Sequence, residues 1–176
     1  MTLRQCLSVR SVCAAMALVG ATISAGCSDT EPITASSRYG PGVKLSGLGP
    51  TYAWSPSPSI DPANPPFGNV EFVQMLHRLV EKELAAKGFA PASPQSANFW
   101  VDCRIGKREK TDSGVNPHGE VFNEGSLVLD VLEPQSGKLI WRAVAQARIL
   151  PDATTEVRNK RLNTAVQRLM KDFPPK

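Results

Sequence analysis

The chain has two histidines, His77 and His118, and four cysteines, and aromatic residues make up 6% of it. So few histidines and cysteines leave little material for a metal cluster or a disulfide framework, and the cysteines show none of the paired spacing of a structural zinc site. No glycine-rich phosphate loop is present, and no histidine is coupled to a nucleophile in a recognisable motif. No apolar run reaches the roughly 20 residues that a membrane-spanning helix needs. No long block of one charge sign occurs either, so nothing in the pattern marks a nucleic-acid binder.

What is present begins at the amino terminus. Arg4 and Arg10 precede an almost wholly apolar or small stretch from Val12 to Ile23 that contains no acidic residue. Gly20, Thr22, Ser24 and Gly26 then interrupt it where a cleavage site belongs. This is the layout of a secretory signal. Ala25-Gly26-Cys27-Ser28 resembles the lipobox of bacterial lipoproteins, although Ser24 stands where that motif prefers leucine. The resemblance implies removal of residues 1–26 and attachment of lipid to Cys27. A plain secreted protein is the alternative. Cys6 and Cys13 leave with the signal, so the mature chain keeps Cys103 as its one unlipidated thiol, read as a small buried hydrophobe.

The full chain carries 20 basic and 16 acidic residues. Two of the basic residues lie in the leader, so the mature protein is only slightly basic. Residues 27–50 are rich in serine, glycine and proline and read as the lipidated cysteine and a flexible tether. As a coil, such a tether spans about 25–30 Å. Residues 51–176 read as one α+β domain. Thr51–Trp54 is a short strand candidate, and the prolines from Pro56 to Pro66 make a stiff loop.

Asn69 to Lys87 predicts a helix, with Val73, Leu76, Val80 and Leu84 at helical spacing and Gly88 just past its end. From Phe99 to Ile105 the residues alternate, Phe99, Val101, Cys103 and Ile105 on one face and Trp100, Asp102 and Arg104 on the other. Lys107 to Gly119 reads as a polar loop. Ser126 to Ile149 predicts a hairpin turning at Pro134 to Gly137, with Leu132 opposite Ile140, Leu129 opposite Ala143 and Asp130 opposite Arg142. Thr154 to Phe173 predicts a second helix, its stripe formed by Leu162, Ala165, Val166, Leu169, Met170 and Phe173.

The expected fold is therefore an antiparallel sheet in the order β-α-β-β-β-α, with both helices on one face. The uncovered face would present Asp102, Arg104, Asp130, Arg142 and Gln146.

Five segments in order carry a family resemblance. They are Tyr52-Ala53-Trp54; Glu83 to Phe89; Ala97 to Asp102; Gly125 to Asp130 with Ser136 to Arg142; and Ala165 to Leu169 with Phe173-Pro174. Together they resemble the bacterial lipoproteins built on domain of unknown function 4136, over about Pro50 to Pro175. Asn98 departs from that pattern, where an aspartate is expected. The resemblance implies an envelope location and a compact α+β domain, and it carries no activity. Ser28 rather than aspartate after the cysteine implies, by resemblance to lipoproteins of double-membraned bacteria, the outer membrane facing the periplasm.

Three groups invite a chemical reading. His118 shares a stretch with Asp112, Glu120 and Glu124, which a metal would need at close spacing; a solvated loop is the plainer reading. Asp130 and Arg142 form a cross-strand ion pair or, less simply, catalytic partners. Tyr52, Trp54, Trp100 and Trp141 pack the core or line a groove for a peptide or glycan. No catalytic, cofactor or metal residues are assigned. The expected role is a non-enzymatic, lipid-anchored envelope protein that binds or scaffolds an envelope protein or peptidoglycan. A small-ligand or peptide-binding module using the sheet face is the second reading, and an envelope enzyme the third.

Overall fold

A computed structural model describes residues 32–43, 48–60, 70–112 and 120–173. In chain order the elements are β1 (Thr34–Tyr39), β2 (Thr51–Trp54), α1 (Val70–Ala86), β3 (Ala90–Pro91), β4 (Phe99–Asp112), β5 (Glu120–Leu132), β6 (Leu139–Arg148) and α2 (Thr155–Met170). The strands form one six-stranded sheet in the order β1-β6-β5-β4-β2-β3. The β1–β6, β6–β5 and β5–β4 pairings are antiparallel, while β2 runs parallel to both β4 and β3. A parallel neighbour needs a crossover, and α1 supplies the one that returns the chain from β2 to β3. Both helices lie on the same face of the sheet, so the α+β architecture is the one the pattern predicts.

Each helix is bounded by chemistry visible in the sequence. At the end of α1 the Phe89 amide bonds the Leu84 carbonyl and the Gly88 amide bonds that of Ala85, with Gly88 at φ 88°. This is a Schellman closure, which needs a left-handed residue at that point. Thr154 caps α2, its hydroxyl accepting from the Val157 amide. The two buried stripes, Val73-Leu76-Val80-Leu84 and Leu162-Val166-Leu169-Met170, face the sheet. Under them lie Phe99, Val101, Cys103, Leu127, Leu129, Val131, Trp141, Ala143 and Ala145, all buried. One end of the core is aromatic. Phe173, beyond the last turn of α2, stacks edge-on to Trp141 at 5.0 Å and to Phe89 at 5.5 Å.

Four expectations are corrected. The stretch expected as a flexible tether, residues 27–50, is not coil throughout, because Thr34 to Tyr39 pair along the free edge of β6. All six of these residues are exposed, so main-chain bonds rather than an apolar pattern hold the strand. The polar loop expected from Lys107 is strand as far as Asp112, and β5 begins at Glu120. Residues 113–119 lie outside the described residues. This outer arm pairs antiparallel throughout, Arg108 opposite Glu124 and Thr111 opposite Val121. Beyond the main body of the sheet it has little reason to alternate, and its charges resemble those of a loop. The two-residue strand β3 was not expected at all. Finally, Leu129 does face Ala143 and Asp130 faces Arg142, but Leu132 faces Leu139, because the ladder shifts between Val131 and Leu132. The turn closes through the Glu133 and Lys138 main chains, with Gly137 at φ 66°.

Candidate functional site

The face of the sheet turned away from the helices gathers the charged pairs. Asp102 and Asp130 stand directly opposite each other on β4 and β5, and both are buried, at 6% and 3% exposure. Two like charges in that position destabilise a sheet unless each is compensated. Asp130 is gripped by Arg142, whose Nε and Nη2 donate at 2.5 and 2.7 Å, and by Arg104 from the other side. Asp102 accepts from the Ser59 amide at 2.8 Å and from the Ser59 hydroxyl. The segment 55–60 thus lies along β4, which buries Asp102 on a face expected to be open. The hydrogen bonds that Arg142 donates to Asp130 hold its guanidinium more firmly protonated than usual, against the opposing effect of burial.

Further along the same face, Glu124 accepts from Arg108 at 2.7 Å and from Lys110 at 2.6 Å. Burial pushes its carboxyl up, but the hydrogen bonds from Lys110 and Arg108, with their charges, outweigh this and hold it below the usual carboxylate range. Glu124 is therefore part of an ion-pair cluster on the arm. His118, its expected companion, lies outside the described residues, as does Cys27. Among the described residues no group of three or more histidine, cysteine or acidic side chains could hold a metal ion.

The four aromatic residues do not share one groove. Tyr52 and Trp141 are core. Trp100 is half-buried on the opposite face and donates to the Pro94 carbonyl at 3.0 Å. Trp54 turns toward α1, stacks on His77 at 3.9 Å and donates to Glu81 at 2.9 Å. Burial lowers the pKa of His77, and the Glu81 carboxylate pulls partly the other way. Cys103 is buried, and burial together with the nearby Asp102 and Asp130 charges pushes its thiol far up, so it is a poor nucleophile.

Sequence reasoning missed one further feature of the surface. On the helix side, where β4, β5 and β6 run past the first turns of α1 and α2, lies a mostly apolar groove of about 510 Å³. Its floor is formed by Ile105, Leu127, Ala145 and Ala147, and Phe72, Leu162 and Ala165 come down from the helices. The signal was the alternation itself. The series through Ala143, Ala145, Ala147 and Ile149 continues farther than the α2 stripe can cover, with small residues where a filled core would have large ones.

These features define a class: a two-layer α+β domain with satisfied charge clusters on one face and an apolar recess on the other. The chain belongs to the family of the domain of unknown function DUF4136, whose profile matches residues 36–175 and thus begins inside β1. No curated protein matches the sequence. Among solved structures, a PDZ domain protein from Parabacteroides distasonis is similar at TM-score 0.56 and 13% identity, over 83% of this chain and 36% of that one. A PelC dodecamer from Paraburkholderia phytofirmans aligns at TM-score 0.48 and 11% identity, over 79% and 95%. A minor lipoprotein from Acinetobacter baumannii aligns at TM-score 0.41 and 13% identity, over 69% and 87%. At such identities, the likeness to the first of these is one of fold alone.

Proposed function

We propose that this chain is a lipid-anchored bacterial envelope protein whose domain binds or scaffolds another envelope component and is not an enzyme. The observation that carries the reading is Cys27, placed directly after Ala25-Gly26 at the end of a basic-then-apolar leader. The position of β1 adds to it. Only residues 28–33 separate Cys27 from β1, a reach of at most about 25 Å. The domain would therefore work against the membrane surface, facing the periplasm if the outer membrane holds the lipid. The non-enzymatic part rests on the internal use of the buried carboxylates: Asp102, Asp130 and Glu124 are each engaged by neighbouring donors.

Two measurements test this. Intact-mass analysis of protein extracted from membranes should show loss of residues 1–26 and added acyl mass, both abolished in Cys27→Ala. An unmodified thiol at Cys27 would sink the anchor. Crosslinking of the full lipoprotein in cells, followed by its recovery, should capture an envelope component, whereas repeated recovery of the protein alone would count against a scaffolding role. A second reading, a module for small ligands, is favoured by the apolar groove. On that reading the ligand would lie on the helix side rather than on the sheet face first expected.

A further inference from the structure

The groove combines two properties. It is apolar along its floor, and its volume of about 510 Å³ falls within the roughly 300–1,000 Å³ of ordinary ligand pockets. Its charged lining side chains, among the described residues, are of one sign, Lys107, Arg158 and Arg161, with no carboxylate; the Arg148 guanidinium is instead engaged over the Phe122 ring at 4.9 Å. Nη2 of Arg158 donates to the Pro151 carbonyl at 3.0 Å and Nη2 of Arg161 to that of Arg148 at 2.9 Å, which places both guanidinium groups beside the chain that links β6 to α2. Lys107 approaches from β4 and is exposed.

A trough of this kind matches a molecule with an apolar body and an anionic end, because each part meets its complement without burying an unpaired charge. Neutral or cationic amphiphiles would leave the basic rim unused. The wall also includes Ile33, the last residue before β1. On the anchored reading above, that residue is held within about 25 Å of a bilayer, where molecules of this chemistry are concentrated.

We infer that the groove takes up an acyl chain carrying an anionic head group, the chain lying over Ile105, Leu127 and Ala147 and the head at Lys107 and Arg158. This deepens, and rests on, the binding role proposed for the domain. The apolar contact supplies affinity, and the rim chooses the head group.

The test uses the full chain in a nonionic detergent and a palmitate with a photoreactive group at mid-chain. Irradiation should label peptides carrying Ile105, Leu127 or Ala147. The double variant Lys107→Glu with Arg158→Glu, altered only at exposed side chains, should weaken capture about tenfold. A hexadecanol probe with the same photoreactive chain should be captured equally by parent and variant. Ala147→Trp should lower capture of both probes, with thermal melts confirming that each variant is folded. Labelling elsewhere, or capture indifferent to both variants, overturns the inference. Recovery of an envelope partner by in-cell crosslinking would then leave the broader binding role standing, so the two ideas fail separately.

Discussion

Removing the carboxylate of Asp130 leaves two guanidinium groups without their acceptor on a partly covered face. The side chain of Arg142 is 25% exposed and that of Arg104 is 43% exposed, so water compensates Arg104 more fully. Asp130→Asn is therefore expected to cost about 1–3 kcal/mol, and Arg104→Ala less than about 1 kcal/mol, in urea unfolding. Relief of the like charge at Asp102 works against the first effect and keeps it below the cost of a fully buried ion. His77 gives a second prediction at this scale. Its folded pKa lies below the unfolded value of 6.5, so the unfolded chain binds the proton first as pH falls. The stability it contributes is complete above about pH 6.5 and is lost as pH drops toward the folded value. His77→Gln should flatten the change in melting temperature between pH 7.5 and 5.5. Glu124 has the same sign at lower pH, since its stabilisation is present above the unfolded value of 4.5 and lost in more acidic solution. Asn98, where the resemblance led to the expectation of an aspartate, ties β4 to β2. Its Oδ1 accepts from the Thr51 amide at 3.1 Å and from the Thr51 hydroxyl at 2.7 Å, a task that an aspartate oxygen can perform equally.

At the scale of elements, the helices and the hairpin were legible because burial writes a period into the sequence. Val73, Leu76, Val80 and Leu84 could lie on one face only as a helix, and Leu127, Leu129 and Val131 only as a strand. β1 was illegible for the opposite reason: its six residues bury nothing, and only the free edge of β6 makes them a strand. The arm of β4 and β5 was likewise hidden by the charges of Lys107 to Lys110. The end of α1 was written plainly, by Gly88. Gly88→Ala forces a side chain into the left-handed region and should destabilise the protein by about 1 kcal/mol, read as a lower urea midpoint with unchanged slope.

Over the whole molecule, the two ends of the helical layer differ. One end is closed by aromatic packing, where Phe173 meets Phe89, Phe99 and Trp141, and where Lys87 Nζ donates to the Phe173 carbonyl at 2.8 Å. Phe173→Ala should therefore cost about 3–5 kcal/mol, comparable to a central core position although it lies beyond α2 near the carboxyl terminus. Calorimetry would detect this as a large fall in melting temperature. The other end stays open as the groove, because the strands continue past the first turns of both helices. The closed end packs the aromatic part of the core, and the open end leaves the recess on which the proposed ligand would lie.

The sequence by itself determined the helices, the pairing of Leu129 with Ala143 and of Asp130 with Arg142, the two-layer class and the signature at Cys27, because each rests on local period, capping or a contiguous motif. The tertiary structure decided the rest. It recruited residues 34–39 to the sheet edge, buried Asp102 beneath segment 55–60, and joined Ile105, Leu127, Ala147 and Phe72 into one recess. None of these is written locally, since each depends on what distant stretches of chain leave uncovered.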